Sequence, residues 1–435
     1  MLRLGEEPMS RWVQQRTRLR WLRPGLGLKR WLLLLIAGLV LLGLGGAALP
    51  RWVDFSARWR FVERTAPWLP EVLLFTIGGI LIGLAILNFN RALLAAFRRA
   101  SPDDVVETVW RHRQRQRGPK IVAIGGGHGL NTLLRGLKEY TDNITAIVTV
   151  SDDGGSSGKL RRDLGMLPPG DFRNCIAALS EAEGLVSQLF QYRFGQDSGL
   201  DGHSFGNLYL TAMTAITGSF VSALEESSRV LAVRGRVIPS TLTPVVLGAE
   251  VLVSHPSPDV WPGQLLRVQG ESRIGELRGQ VQRVYLEPEE APAYPEAIRA
   301  ILDADLIVIG PGSLYTSVLP NLLVQDLARA VSSSTATKAY VCNVATQAGE
   351  TEGYDVSAHV NALRAHVGQE LFHFVLANHT FGDNPPPGEG VDWAWLPEAQ
   401  PTDYELVTGD LVDRQYPWRH DPAKLAGALI GCLES

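Results

Sequence analysis

Two long uncharged segments near the amino terminus constrain the fold of this chain more than any other feature. Residues 31–49 carry no charged side chain over 19 positions, which as a helix is about 28 Å, close to the hydrocarbon core of a bilayer. Residues 72–87 are also uncharged, and flanking residues extend this second segment to about 69–89. Because helices that are apolar on every side need an apolar solvent, residues 1–100 are predicted to form a membrane anchor of two transmembrane helices.

The charges around these segments predict their orientation. Six Lys and Arg residues lie within residues 16–30, and Arg91, Arg98 and Arg99 follow the second segment, whereas the loop between the segments balances Arg with Asp and Glu. The positive-inside rule then puts both ends in the cytoplasm. We therefore expect a multi-pass protein of the cell membrane with its main domain in the cytoplasm. The alternative is a cleaved signal peptide, although the second segment would remain after cleavage.

The net charge changes sign along the chain. Residues 1–120 contain 20 Lys and Arg against 8 Asp and Glu, a charge of +12, and the remainder contains 21 against 37, a charge of −16. Nucleic-acid binding is not expected, because so acidic a body is repelled by phosphate backbones. Residues 101–119 form a basic juxtamembrane linker, either a solvated hinge or a contact for anionic lipid.

The three cysteines are too few for a disulfide framework and too widely spaced for a zinc pattern.

From residue 120 onward the hydrophobic pattern is typical of an α/β domain. Buried strands are predicted at 121–124 and 144–150 with a helix at 130–139 between them, which makes a βαβ unit. Later strands are predicted at 305–309, 339–344 and 371–377, and a β-rich antiparallel insertion at 237–290. The predicted fold is a Rossmann-like, mostly parallel sheet within a domain at 120–435, whose ligands collect at the carboxyl ends of the strands.

A glycine-rich turn follows the first predicted strand and opens the first helix. Its residues are Gly125, Gly126, Gly127, His128 and Gly129. Glycine lets backbone amides approach an anion, and a helix N-terminus attracts negative charge. The spacing departs from the dinucleotide pattern G-x-G-x-x-G, since Leu130 stands where the third glycine belongs. We interpret the segment as an anion or nucleotide site, the alternative being a tight turn alone.

An acidic loop follows the second predicted strand. Asp152 and Asp153 precede a Gly/Ser run that contains Ser156 and Ser157. A carboxylate at this place in a Rossmann-like fold contacts a ribose, and a pair of carboxylates can instead hold a divalent cation such as Mg²⁺. Either Asp152 or Asp153 could be that metal ligand, and a solvated loop is the third alternative. The sequence predicts no firmly bound cofactor.

Two further segments are candidates for the same ligand. Gly312 and Ser313 lie in a second Gly/Ser turn after a strand and could hold the other end of a phosphate-bearing ligand, or form only a turn and a helix cap. Asp171 is expected to cap a helix, and Arg173 in the first turn of that helix opposes the macrodipole unless an anion is close.

His203 and Asn207 offer polar groups just before an apolar helix, although a lone histidine is more often structural than catalytic. Nothing in the sequence assembles a nucleophile, a base and an orienting acid in a recognisable order, so no catalytic residue is predicted. Binding and catalysis both remain open at this point.

Six segments together resemble the gluconeogenesis-factor family of YvcK type, within the group that includes the CofD phospholactate transferases. They are GGGHGLNTLLRGLKEY, ITAIVTVSDDGGSSGKLR, PPGDFRN, GHSFGNLYL, IGPGSLYTSVLPNLL and VCNVATQAGETEGYD. The resemblance implies a Rossmann-like cytoplasmic domain that binds a nucleotide sugar of the UDP-N-acetylglucosamine type and regulates carbon flow toward cell-wall precursors and cell shape. The CofD branch implies instead the transfer of a phospholactyl-type group from a guanosine diphosphate adduct to a deazaflavin precursor.

The resemblance also implies a set of cleft residues. Beyond the glycine turn, they are Asp152, Asp153, Ser156, Ser157, His203, Asn207, Gly312, Ser313, Asn343 and Thr346. Arg419 resembles an arginine that helps to hold the nucleotide sugar. The chain departs from the family pattern at His128, where many members have Thr, and in residues 381–395. The partners expected are the nucleotide sugar, the bilayer, a cell-wall-precursor enzyme and a second copy of the chain in a homo-oligomer.

Overall fold

The computed structural model describes residues 114–434 except 182–183, 196–198, 254–260, 262, 278, 369–370 and 383–385. The chain divides into two compact units, residues 1–113 and residues 114–435. Both predicted transmembrane helices and most of the predicted linker lie outside the described residues. Across the part of the chain that is described, no helix combines the length and the apolar character needed to cross a membrane.

The strands of the second unit form two sheets. In chain order they are β1 Ile121–Gly125, β2 Ile144–Val148, β3 Arg236–Pro239, β4 Val246–Val253, β5 Leu265–Gln269, β6 Gly279–Glu287, β7 Leu306–Ile309, β8 Thr337–Val341, β9 Phe374–Asn378 and β10 Glu405–Gly409. The larger sheet has the order β10-β9-β8-β7-β1-β2-β3, and every neighbouring pair in it is parallel. The smaller sheet, β5-β4-β6, is antiparallel. The predicted mostly parallel sheet with a small antiparallel sheet is confirmed.

Helices connect these strands. In chain order they are α1 Gly127–Leu137, α2 Gly155–Leu164, α3 Gly170–Leu179, α4 Leu185–Gln191, α5 Phe205–Thr217, α6 Phe220–Val230, α7 Glu271–Glu276, α8 Pro295–Leu302, α9 Leu319–Leu322, α10 Gln325–Ser333, α11 Val356–Val367 and α12 Pro422–Glu434. A π-helical turn, Leu314–Val318, precedes α9.

The predicted antiparallel insertion begins later than the sequence pattern indicated. Residues 237–239 belong to β3, which pairs in parallel with β2, with Val237 opposite Ala146. The antiparallel sheet therefore occupies Val246–Val253 to Gly279–Glu287. A short buried run such as Val237–Pro239 has too few residues for its period to distinguish an edge strand of one sheet from the first strand of the next.

The centre of the large sheet determines where a ligand can bind. Every residue of β1, β2 and β7 is buried, as expected for parallel strands covered on both faces. The chain runs from β1 to β2 on one side and from β7 to β8 on the other, so the strand order reverses between β1 and β7. Open parallel sheets bind ligands in the crevice at such a reversal, outside the carboxyl ends of the strands. The loops after β1, β2, β7 and β8 meet there.

Candidate functional site

The glycine turn forms the floor of this crevice. Gly127 has a φ of 62°, in the left-handed region that favours glycine, and α1 begins there with no side-chain cap. Gly129 packs against the neighbouring turn so closely that a Cβ on it would lie 2.4 Å from the carbonyl oxygen of Pro311. The N-terminus of α1 is therefore held against the loop that follows β7.

The turn after β7 is held by side chains from the loop after β8. The backbone N–H of Gly312 donates to Oδ1 of Asn343 at 3.1 Å, and Nδ2 of Asn343 donates back to the carbonyl oxygen of Gly312 at 2.8 Å. Ser313 donates through its hydroxyl to Oε1 of Gln347 at 2.6 Å. The structure thus brings these three predicted residues together, and they position the turn against its neighbour.

The hydroxyl oxygen of Thr346 accepts a hydrogen bond from the protein backbone. Its backbone N–H donates to the carbonyl oxygen of Asp392, and the N–H of Asp392 donates to Oγ1 of Thr346, both at 2.8 Å. Thr346 is only 5% exposed. This residue ties the loop after β8 to the segment near Asp392.

The two adjacent carboxylates after β2 have different roles. Asp152 accepts the N–H of Gly154 at 2.9 Å and the hydroxyl of Ser157, and burial raises the pKa of its carboxyl. Asp153 accepts the N–H of Ser272 at 3.0 Å, in the first turn of α7. Asp152 therefore faces the crevice, whereas Asp153 holds the antiparallel insertion against the loop.

Asp171 is the carboxylate closest to the glycine turn, and the sequence prediction of its role was wrong. Helix α3 begins at Gly170 with Pro169 as its N-cap, so Asp171 lies inside the first turn. Its carboxylate accepts a hydrogen bond from the N–H of Gly127, and Oδ2 would lie 2.6 Å from a Cβ on Gly126. Burial and, to a lesser extent, the charge of Asp152 raise the pKa of Asp171 to about 6.

A polar cluster lies beside these carboxylates. Nδ2 of Asn207 donates to Oγ of Ser156 at 3.0 Å, and Oγ of Ser156 contacts Nδ1 of His203, also at 3.0 Å. Arg173 is 5% exposed and donates to Oδ1 of Asn174 at 2.9 Å, while burial lowers its pKa to about 10. Nε of Arg173 and Oδ1 of Asn207 are buried without a partner among the described residues.

Arg419 and His128 lie at the outer side of the glycine turn. The guanidinium of Arg419 lies 5.5 Å from the ring centre of Tyr416, and the backbone N–H of Arg419 donates to the carbonyl oxygen of Tyr416 at 2.8 Å. Desolvation and the charges of Arg419 and Arg173 lower the pKa of His128. Two arginines therefore place positive charge near the turn.

Two glutamates that sequence reasoning missed complete the crevice. Glu350, 4% exposed, accepts at Oε1 from Oγ1 of Thr316 at 3.2 Å and from Nε2 of Gln347 at 2.8 Å, and burial raises its pKa to about 7. Glu271 comes from α7; burial and then the charges of Asp152, Asp171 and Glu350 raise its pKa. Oε2 of each glutamate is buried without a partner among the described residues.

Known proteins match the chain across all these elements. A family model described as 2-phospho-L-lactate transferase CofD matches residues 121–427. A putative gluconeogenesis factor of Nostoc sp. is 48% identical over 371 residues, which covers 82% of this chain and 78% of that protein. The gluconeogenesis factor of Bacillus subtilis is 46% identical over 327 residues, covering 73% of this chain and 98% of that protein. The chain belongs to the gluconeogenesis factor family, in its CofD-like group.

Two further relatives bear on the extent of the similarity. A putative gluconeogenesis factor of Deinococcus radiodurans is 38% identical over 443 residues, covering 98% of this chain and 91% of that protein. A crystal structure of a UPF0052 family member from Bacillus halodurans has a TM-score of 0.65 and 42% identity, and covers 72% of this chain and 99% of that chain. The Deinococcus match therefore extends well beyond the α/β unit toward the amino terminus.

In this chain the predicted site residues fall into two groups. Those in the glycine turn, in the loop after β2, in the neighbouring polar cluster or among the two nearby arginines are Gly125, Gly126, Gly127, His128, Gly129, Asp152, Ser156, Ser157, Arg173, His203, Asn207 and Arg419. Those that hold loops in place are Asp153, Gly312, Ser313, Asn343 and Thr346. The carboxylates of Asp171, Glu271 and Glu350 join the first group.

Proposed function

We propose that this member of the gluconeogenesis factor family binds a nucleotide sugar and regulates the partition of carbon between gluconeogenesis and cell-wall precursor synthesis, which cell shape requires. The ligand class is a uridine diphosphate sugar of the UDP-N-acetylglucosamine type. The observation that carries the proposal is the N-terminus of α1, whose N-cap Gly126 has no side chain and where Asp171 accepts only the N–H of Gly127, with Arg419 and His128 beside it. Backbone amides at a helix N-terminus bind phosphate groups, and an arginine adds charge-assisted hydrogen bonds.

The polar cluster supports binding rather than covalent catalysis. Nδ2 of Asn207 donates to Oγ of Ser156, and the same oxygen lies 3.0 Å from Nδ1 of His203. Nε2 of His203 has no hydrogen-bond partner within the described residues, so the pair lacks the orienting group of a catalytic triad. A serine held in this way is suited to hydrogen-bond a ligand.

Mg²⁺ fits the crevice only in a site made jointly by protein carboxylates and the phosphates of the ligand. No group of three or more His, Cys, Asp or Glu side chains in the described part of the chain could hold a metal ion. Mg²⁺ often uses one or two carboxylates together with the phosphates of its ligand. Asp152 is the carboxylate suited to this, since Asp153 is occupied by Ser272. A bound Mg²⁺ would offset the repulsion between the diphosphate and the carboxylates.

We extend the proposal to the amino-terminal residues and to partners. Residues 1–100 anchor the protein in the cell membrane through two helices, and the α/β unit faces the cytoplasm. The alignment with the Deinococcus relative, which covers 98% of this chain, supports an amino-terminal region shared among relatives. The regulated partner is a cell-wall-precursor enzyme, and the active form is a homo-oligomer.

The description of the matching family model favours one alternative, a CofD-like transferase that acts on a guanosine diphosphate adduct and a deazaflavin acceptor. Isothermal titration of the full-length protein with uridine and guanosine nucleotides separates the two functions. The regulator binds a uridine diphosphate sugar and leaves it intact. Preferential binding of guanosine diphosphate ligands, with turnover when the acceptor is present, would favour the transferase.

A further inference from the structure

Helix α7 of the antiparallel insertion is held between two loops of the crevice. On one side Oδ1 of Asp153 accepts the N–H of Ser272 at 3.0 Å. On the other side Gly349, with a φ of 77°, packs so closely that a Cβ on it would lie 3.0 Å from the carbonyl oxygen of Gly275. The insertion therefore presents α7 to the same crevice that the loops after β2 and β8 enclose.

Glu271 is the residue of α7 that faces inward together with Ile274, since Ser272, Arg273 and Glu276 are exposed. Its Oε2 is buried and unpartnered within the described residues, and so is Oε2 of Glu350. Glu350 is 4% exposed, its other oxygen already accepts two side-chain hydrogen bonds, and its carboxylate also accepts the backbone N–H of Tyr315. Buried carboxylate oxygens in native proteins have partners, so each of these two atoms requires a donor that the described chain does not supply.

The two carboxyl groups lie close enough for the charge of Glu350 to raise the pKa of Glu271. Burial has the largest effect on the pKa of Glu271, and the charges of Asp152, Asp171 and Glu350 raise it further. A diphosphate carries negative charge and only accepts hydrogen bonds, so it cannot satisfy either glutamate in the ionised form. The glycine turn suits the diphosphate, and the glutamates suit a part of the ligand that carries donors.

We propose that Glu271 and Glu350 accept hydrogen bonds from neighbouring hydroxyl groups of the bound nucleotide sugar, so that the insertion helix α7 takes part in ligand recognition. This inference rests on the proposed nucleotide-sugar binding. The hydroxyls belong either to the pyranose or to the ribose, and both present a pair of adjacent O–H donors. Repulsion between the two glutamates and the phosphates then orients the ligand with its diphosphate toward α1.

The test is isothermal titration of the full-length protein and three variants with UDP-glucose and with UDP. Glu271→Gln and Glu350→Gln keep the side-chain size and replace an acceptor with an amide, and in Glu350→Gln the remaining oxygen can still accept from Thr316 and Gln347. Glu276→Gln is the matched control, because Glu276 is an exposed residue of the same helix. We expect each of the first two variants to weaken UDP-glucose binding roughly tenfold to a hundredfold, and the control to match the wild type.

The two ligands identify the source of the hydroxyls. Weaker binding of UDP-glucose with unchanged binding of UDP assigns the pair to the pyranose, and equal losses for both ligands assign it to the ribose. Wild-type affinity of both glutamine variants for UDP-glucose would overturn the inference while leaving the proposed function intact. A loss that disappears when EDTA is added would also overturn it, because the carboxylates would then hold a cation. If the wild type binds no uridine nucleotide, the proposed function fails and the inference fails with it.

If Glu350→Gln lowers the thermal unfolding midpoint, the test of ligand contact rests on Glu271→Gln alone. Its Oε1 and Oε2 hold no part of the loop after β8, so a change in affinity at an unchanged unfolding midpoint reports on ligand contact.

Discussion

The carboxylate of Asp171 accepts a hydrogen bond from the backbone N–H of Gly127, which joins the first turn of α3 to the glycine turn after β1. One of the free amides at the N-terminus of α1 is therefore occupied by a carboxylate of the protein. That carboxylate lies at the place where the proposed diphosphate binds. Its protonation state consequently affects both the stability of the turn and its affinity for an anion.

Asp171 should make the free energy of unfolding depend on pH. Its pKa is raised from 3.8 to about 6 in the folded state, so the folded protein binds the proton more tightly than the unfolded chain. The protein should gain stability as the pH falls from above 6 toward 4, and Glu350, whose pKa is raised to about 7, adds to the gain in the wild type and in the variant alike. Asp171→Asn, which is neutral at every pH, should reduce this gain in urea unfolding measured between pH 8 and pH 5. Equal slopes in the two proteins would contradict the assigned pKa.

Arg419→Ala should weaken binding of the nucleotide sugar without lowering the thermal unfolding midpoint. The guanidinium is exposed and rests on Tyr416, so its removal leaves no buried group unpaired. The loss of one charge-assisted hydrogen bond costs about 1.5–3 kcal/mol, roughly tenfold to a hundredfold in affinity. Arg414→Ala is the control, because Arg414 is an exposed arginine of the same loop. Equal affinities for the two variants would remove Arg419 from the site.

Asp152→Asn should reveal whether this carboxylate binds a ribose or a cation. If it accepts a ribose hydroxyl, affinity falls to the same extent with and without magnesium. If it holds Mg²⁺, the dependence of affinity on magnesium disappears in the variant. Asp163→Asn, at an exposed position of α2, controls for the loss of one negative charge. Wild-type affinity of Asp152→Asn in both conditions would show that the carboxylate contacts neither group.

The amino-terminal anchor can be tested on intact cells. Protease added outside should cut only the loop at about residues 50–71, because both ends of the predicted hairpin are cytoplasmic. Cleavage within residues 120–435 would contradict that topology. A truncated protein that starts at residue 118 should be soluble and folded, since residues 114–435 form a compact unit of their own. Aggregated or unfolded material from this truncation would contradict a separable anchor.

The sequence predicted the parts of the site that depend on local pattern. The run Ile121–Gly125 is buried throughout and ends at a glycine turn that opens α1, and both features can be read from adjacent residues. The same holds for Asp152, which lies in the loop between β2 and α2. Strand ends were less accurate: β8 ends at Val341, three residues before the predicted end. The buried Cys342 and Val344 continue the apolar pattern, but Val344 accepts from Ala394 outside the sheet.

Contacts between residues that are far apart in the sequence could not be predicted from local pattern. Asp171 looks like an ordinary helix cap until folding brings it beside Gly127, and Glu271 looks like a surface residue of a short helix until Asp153 binds Ser272. Glu350 carried no local signal either, since Thr316, which donates to its carboxylate, comes from the turn after β7. From the sequence pattern alone, a charged residue that becomes buried on folding cannot be distinguished from one that stays in solvent.

The most direct test of the proposed function is isothermal titration of the full-length protein with UDP-N-acetylglucosamine and, separately, with GDP. The uridine ligand should bind saturably and be recovered intact after the titration, and Arg419→Ala should bind it more weakly. Tighter binding of GDP than of UDP-N-acetylglucosamine, or no binding of the uridine ligand, would contradict the proposed function.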